Sequence, residues 1–193
     1  MIGDKFMTER ELFPLLLKGL GTDLLITALA VILPLIVGIG LTLLMHFTRK
    51  TALPKVFRYV SVITEGLCPL LILPMIYYVL PQLLTIQYAV NPVFISSAGL
   101  SLCFLGYMAY RYDGGDSLCK NIVVNGIGLV ADMMKWCFAS TFMIGVSGLV
   151  GAARNYSAYT YHFFGPYFSA TIIILVVLVV LYIARQICKD LLK

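Results

Sequence analysis

Residues 24–45, LLITALAVILPLIVGIGLTLLM, contain no acidic or basic side chain. A helix needs about 20 such residues to cross the roughly 30 Å hydrocarbon core of a bilayer. Pro34, Gly38 and Gly40 interrupt the run, and these residue types are tolerated in membrane helices that approach one another closely. The run therefore predicts a first transmembrane helix that packs against other helices.

The apolar character extends over the whole chain of 193 residues. Hydrophobic residues make up 61% of it and charged residues 12%, and the mean hydropathy is +0.96, far above that of a soluble domain. Further stretches without a charged side chain are residues 66–110, 136–153 and 163–184. Together they predict an all-α, polytopic membrane helix bundle with five transmembrane helices.

Polar residues set off the N-terminal part of the chain. The segment RELFPLLLKGLGTD alternates leucines with charged residues, and such a segment is expected to lie in the membrane interface as a short amphipathic helix. Residues 1–22 are therefore predicted to be an interfacial segment and residues 23–193 the transmembrane domain. Thr22 or Asp23 is expected to cap the first transmembrane helix.

The uncharged run between Glu65 and Arg111 is long enough for the second and third transmembrane helices. The turn that joins them is predicted in QYAVNP, where Asn91 and Pro92 break a helix. Residues 111–120, RYDGGDSLCK, then form a short polar loop.

Residues 121–153 would reach about 50 Å as one straight helix, too long for one crossing and too short for two. The fourth transmembrane helix is predicted over about 121–137. The glycine-rich segment FMIGVSGLVGAA is predicted to be bent or re-entrant, without crossing again. The aromatic segment NYSAYTYHFFGPYF indicates the membrane interface and leads into the β-branched fifth helix.

Basic residues favour one orientation of these helices. The flanking segments on one side contain nine Lys and Arg residues, and those on the other side contain four. Because Lys and Arg collect on cytoplasmic loops, the N-terminus is predicted outside and the C-terminus in the cytoplasm of a bacterial inner membrane. The net charge of +5 lies beside the helices and not on a soluble domain, which argues against a nucleic-acid partner.

The sequence contains no motif that predicts an enzyme or a cofactor. It has no G-x-S-x-G, no H-E-x-x-H and no G-x-x-x-x-G-K-[ST]. The five cysteines are scattered without a C-x-x-C pair, and neither histidine has ligand spacing. We therefore predict a protein without catalytic residues, a metal site or a cofactor.

Ionisable side chains within the predicted helices are the candidate functional residues, because each costs at least about 2.5 kcal/mol on insertion scales. They are Glu65, Asp132 and Lys135. Asp132 and Lys135 are three residues apart, so they either neutralise each other on one helix face or belong to a polar site facing a cavity. Glu65 has three candidate partners: Arg58, Lys135 and a substrate ammonium group.

Two aromatic residues of the second predicted helix are further pathway candidates. Tyr77 and Tyr78 lie in its apolar run. Their side chains either line a passage or pack in the bundle, and packing is the more common role of aromatic residues at this spacing.

Three segments carry a resemblance to a known family. LLLKGLGTDLLITALAVILPLIVGIGLTLL, EGLCPLLILPMIYYVLP and GLVADMMKWCFASTFMIGVSGL resemble, in order and spacing, the first, second and fourth-span regions of the membrane permease subunits of bacterial amino-acid ABC importers. The matching positions are Gly66, Leu70, Ile76, Tyr77, Tyr78, Leu80, Pro81, Ile144, Gly145 and Val146, with Lys135 within one place of the family's lysine.

The resemblance implies a permease-like subunit that pairs with a second such subunit around a translocation path, with ATPase subunits and a solute-binding protein as further partners. Glu65 stands where the family has arginine, and Ile72 where it has glutamine. The family's E-A-A coupling loop is missing, since only DGGDSLCKN stands in its place. The chain therefore resembles a divergent member, and the alternative is a non-transporting scaffold subunit of a membrane complex.

Overall fold

The computed structural model describes residues 9–48, 55, 59, 62, 69–79, 82, 91–112, 114 and 116–192. These residues form helices and connecting turns, with no strand among them. The helices are α1 (Glu9–Phe47), α2 (Pro69–Pro74, continued by a π-helical turn, Met75–Val79), α3 (Pro92–Phe104), α4 (Tyr107–Tyr110), α5 (Leu118–Ser140), α6 (Leu149–Thr160) and α7 (Phe164–Leu191). Four helical stretches of the described residues are long and apolar enough to cross a membrane: Glu11–Phe47, Pro92–Tyr110, Leu118–Ile144 and Phe164–Leu191. The all-α membrane helix bundle is thus confirmed.

The second predicted transmembrane helix lies only partly within the described residues. Its middle, Pro69–Val79, is helical and apolar, whereas residues 63–68, which include Glu65, lie outside the described part. The number of five transmembrane helices therefore stays a prediction.

Helix α1 begins earlier than the sequence suggested. It runs without interruption for 39 residues from Glu9 to Phe47, which is about 58 Å at 1.5 Å per residue. The prediction that a separate short helix ends before a cap at Thr22 or Asp23 is wrong. The charged residues of this segment do not end the helix, because its leucines continue the apolar surface of α1; Leu16, for example, is fully buried.

Pro34 lies inside α1, where its ring nitrogen cannot donate to the carbonyl one turn earlier. That carbonyl belongs to Ala30, and the hydroxyl of Ser101 in α3 donates to it at 2.7 Å. Hydroxyl donors of this kind let a membrane helix tolerate proline. Ser101 therefore fastens α3 to α1 at the position where α1 lacks its own hydrogen bond.

Helix α3 begins where the sequence predicted a break. The side chain of Asn91 accepts a hydrogen bond from the backbone N–H of Val93, and Pro92 occupies the first helical turn. A turn at Leu105 and Gly106 separates α3 from the short α4. This turn places Tyr107 and Arg111 beside the next long helix.

Helix α5 is longer than the predicted 121–137. Ser117 caps its N-terminus by accepting from the backbone N–H of Lys120, and a 3-10 turn, Thr141–Ile144, extends its other end. Gly145 then adopts a left-handed conformation with φ of 76°, which glycine reaches without steric cost. The chain turns back there into α6, so the predicted bent segment after the fourth helix is confirmed.

Asp23 caps a different helix from the one expected. Its fully buried side chain accepts hydrogen bonds from the backbone N–H of Leu149 at 2.7 Å and the hydroxyl of Thr141 at 3.1 Å. Leu149 begins α6, and Gly148 before it has no side chain to serve as a cap. A Cβ atom at Gly148 would collide with the carboxylate. Because helix N-termini favour negative charge, Asp23 ties α6 to α1.

Helix α5 lies at the centre of the bundle. It runs antiparallel to α1, since Thr141 lies beside Asp23 and Gly126 lies beside Leu35. The largest core cluster joins α1, α2, α3, α4 and α5, and the second joins α1, α5, α6 and α7. The outer surfaces of α1 and α7 are exposed and apolar, as expected of a multi-pass membrane protein in contact with lipid.

Candidate functional site

A polar cluster lies on one flank of α5, around Asp132. The phenolic hydroxyl of Tyr107 donates to Oδ2 of Asp132 at 2.6 Å. The guanidinium of Arg111 approaches the same oxygen at 3.4 Å, and the Arg111 and Asp132 side chains are each 36% exposed. The charge of the carboxylate is thus compensated by Arg111, and the Tyr107 hydroxyl donates to it, while it remains accessible.

Packing holds Arg111 in this position. Its guanidinium lies over the ring of Tyr107, 4.7 Å from the ring centroid, a favourable cation–π geometry. The side-chain amide of Asn125 in α5 donates to the Arg111 carbonyl at 3.2 Å. These two contacts hold Arg111, the first residue after α4, beside α5 and away from the loop.

Gly128 allows side chains from two other helices to meet on α5. A Cβ atom there would lie 2.9 Å from the Tyr107 hydroxyl and 3.2 Å from the guanidinium carbon of Arg185. Tyr107 belongs to α4 and Arg185 to α7, and both side chains pack directly against the backbone of α5 at Gly128. Arg185 is thereby placed next to Tyr107 and one helical turn from Asp132.

Lys135 lies one turn further along α5, on the same face as Asp132, and it is exposed. The pairing of Asp132 with Lys135 considered from the sequence does not form, because Asp132 is bonded to Tyr107 and Arg111 instead. Within the described part of the chain, Lys135 and Arg185 have no ion-pair partner.

The other predicted candidates lie elsewhere. Tyr77 packs against the largest core cluster and edge-on against Tyr78, with ring centroids 4.7 Å apart. Tyr78 is 49% exposed, and its hydroxyl donates to the Met143 carbonyl at 3.4 Å. The structure thus places these tyrosines in packing contacts away from Asp132. Glu65 lies outside the described residues.

Among the described residues, this charged flank of α5 carries three cations, Arg111, Lys135 and Arg185, against one carboxylate, Asp132. Exposing these charges to lipid would be costly, so the flank requires water, a ligand or a polar partner. Among the described residues no group of His, Cys, Asp and Glu could hold a metal ion. The arrangement suits the binding of a small charged or polar molecule.

Sequence reasoning missed Tyr107, Arg111 and Arg185. The two arginines were counted only as charges flanking membrane helices, and nothing in a linear pattern shows that they approach Asp132. One signal was available. Gly128 precedes Asp132 by one turn on the same face, and a glycine within a helix often marks a close approach of another element.

Comparison with known proteins gives one informative result. A scan against protein-family models and a search of curated proteins find no match for this chain. Among solved structures, a chain in the crystal structure of an amino acid ABC transporter with histidines is similar, with 20% sequence identity and a TM-score of 0.72. The similarity covers 98% of this chain and 99% of that one. The chain is therefore an all-α membrane protein with the fold of that amino acid ABC transporter chain.

Proposed function

We propose that this chain is a membrane-embedded, permease-like subunit of a transport complex for amino acids or similar small polar solutes. The charged flank around Asp132 carries the proposal. A soluble ligand in an otherwise apolar bundle needs polar groups that remain accessible, and Asp132 and Arg111 are each 36% exposed. Ionisable residues within membrane helices are rare, and they mark solute and ion pathways in many transporters.

The location of the flank suggests a path between two subunits. It faces outward between α4 and α7, because Tyr107 and Arg185 approach α5 from these two helices and Lys135 is exposed beside them. A second permease-like subunit, identical or related, would cover the flank and shield it from lipid. The full-length fold similarity to an amino acid ABC transporter supports the same arrangement.

Energy coupling is proposed to come from a partner subunit. Only residues 111–117 connect α4 to α5, and the ends of this connection are fastened. The Tyr112 hydroxyl lies 3.3 Å from Nδ1 of His46 in α1, and Asp116 pairs with Lys120 in α5 at 2.6 Å. A coupling helix of two or three turns needs about 7 to 11 residues. This connection cannot supply such a helix and also make the turn.

Neutralising Asp132 tests the transport proposal. The complex that copurifies with the chain would be reconstituted in liposomes and assayed for uptake of a labelled amino-acid mixture. Asp132→Asn is expected to lower uptake about tenfold, because Arg111 loses the charge-assisted contact that holds it at the flank. Asp116→Asn is the matched control, because Asp116 is also 36% exposed and paired with a cation, yet lies in the loop. Unchanged uptake by Asp132→Asn would contradict the proposal.

A non-transporting scaffold subunit is the second candidate, and the short connection between α4 and α5 favours it. ATP hydrolysis by the cognate ATPase, with and without this chain, separates the two. Solute-dependent hydrolysis with this chain as the sole membrane component would overturn the proposed absence of direct coupling. Copurification without any ATPase or solute-binding protein, together with no uptake, would favour the scaffold.

The orientation is proposed as N-terminus outside and C-terminus in the cytoplasm, from the nine-to-four distribution of basic residues. Cys119, near the start of α5, is exposed and reports on this directly. In a variant with Cys119 as the sole cysteine, a membrane-impermeant maleimide is expected to label it in lysed cells only. Labelling in intact cells would reverse the orientation.

A further inference from the structure

We infer that the solute bound at this flank carries a surplus of negative charge, as an acidic amino acid or a small dicarboxylate does. The inference rests on the proposed function and concerns the same site. It follows from which charges of the cluster are already compensated within the chain and which are not.

Asp132 offers little to a cationic solute. The Tyr107 hydroxyl donates to Oδ2 at 2.6 Å, and the Arg111 guanidinium lies at 3.4 Å from the same oxygen. A solute ammonium group would have to compete with Arg111, which is also held by its contact with the Tyr107 ring. The single carboxylate of the flank is therefore committed to protein partners.

Arg185 and Lys135 differ from Arg111 in this respect. No carboxylate of the described residues forms an ion pair with either of them. Two such cations in membrane helices are each unfavourable without an anion. An amino acid with a neutral or cationic side chain has one carboxylate and could compensate only one of these charges, whereas a solute with two carboxylates could compensate both.

The positions of these two cations suit an elongated anion. The guanidinium of Arg185 lies against α5 at Gly128, and its planar fork is suited to bidentate contact with a carboxylate. Lys135 is seven residues beyond Gly128 on nearly the same face, a rise of about 10 Å. Side chains on a helix point back toward its N-terminus. The ammonium of Lys135 therefore approaches the level of Asp132 from the C-terminal side, whereas Arg185 lies on the N-terminal side.

Binding of three amino acids to the purified complex in lipid nanodiscs tests the inference. L-glutamate is compared with its neutral isostere L-glutamine and with L-arginine. Wild-type protein is expected to bind glutamate at least about tenfold more tightly than the other two, one charge-assisted contact being sufficient for this difference. Arg185→Gln and Lys135→Gln should each lower glutamate affinity about tenfold, whereas glutamine affinity should fall in no more than one of them, because glutamine has a single carboxylate.

Lys189→Gln is the control, because Lys189 is exposed in the last turn of α7 and should bind glutamate as the wild type does. The melting temperature of each variant verifies folding. Equal or tighter binding of glutamine or arginine would overturn the inference and leave transport intact. A preference for glutamate that persists in both variants would also overturn it. If no amino acid binds and none is taken up, the proposed function itself fails.

Discussion

Two of the described carboxylates, Asp23 and Asp132, lie within membrane helices and differ in their surroundings. Asp23 is fully buried and is bonded by neutral donors, the Leu149 N–H and the Thr141 hydroxyl. Asp132 is 36% exposed and lies beside Arg111, with further cations nearby. The first carboxylate is closed off within the protein, whereas the second belongs to a charged surface that something outside the chain has to cover.

The difference shows that the same side chain is enclosed by the fold in one place and left accessible in a charged cluster in another. The charge of Asp23 is stabilised by the N-terminus of α6, so its environment is complete without water or ligand. The surroundings of Asp132 hold more positive than negative charge, because Lys135 and Arg185 have no ion pair among the described residues. The expected consequences differ in kind, with stability lost at Asp23 and binding lost at Asp132.

The largest effect is expected from replacing the two carboxylates by asparagine. Asp23→Asn should lower the free energy of unfolding by about 3 kcal/mol, because an amide NH2 group meets buried donors and the charge at the α6 N-terminus is lost. Asp132→Asn should lower it by less than about 1 kcal/mol, since this group is partly exposed. Unfolding titrations in mixed micelles measure both. Equal losses would remove the distinction between the two sites.

A smaller effect is expected at Gly128, and it tests whether Tyr107 and Arg185 pack over α5 at the charged flank. Gly128→Ala should lower the free energy of unfolding by about 2 kcal/mol, because the added methyl group overpacks the site against Tyr107 and Arg185. Gly40→Ala in α1 is the control, since a Cβ atom there meets nothing within 4 Å. It should be neutral or slightly stabilising. If the two variants are equally stable, the side chains do not close over α5 as described.

The smallest effects are expected from removing one hydroxyl donor at each carboxylate. Thr141→Val should cost about 1.5 kcal/mol, because it leaves the buried Asp23 carboxylate with one donor fewer. Tyr107→Phe should cost about 0.5 kcal/mol, since water can replace the hydroxyl at the exposed Asp132. The same unfolding titration applies. A larger cost for Tyr107→Phe would mean that Asp132 is the more tightly enclosed carboxylate.

Much of the fold could be predicted from local patterns. The uncharged runs gave the helices that can cross a membrane, the Asn91–Pro92 pair marked the start of α3, and the glycines after the fourth helix marked the bend at Gly145. These features depend on residues close in sequence, so a linear pattern contains them. The start of α1 was misplaced, because the exposed Glu11 and Lys18 do not terminate a helix whose other face is buried, and the buried Asp23 caps α6 instead.

The candidate site was predicted less completely. Asp132 and Lys135 stand out as charges within an apolar run, and that signal is local. Tyr107, Arg111 and Arg185 do not stand out, because their roles depend on α4 and α7 meeting over Gly128. Contacts between residues far apart in sequence are set by packing, which a single sequence does not display.

By itself the sequence determined that this chain resides in a membrane as a bundle of helices, because the transfer of an apolar run into lipid depends on the length and residues of that run. It also determined that charges within those helices need partners. Only the tertiary structure decided which partners they have. It placed Asp23 at the N-terminus of α6 and Asp132 beside Arg111, since hydrogen bonds and ion pairs act over a few ångströms and depend on where folding brings each helix.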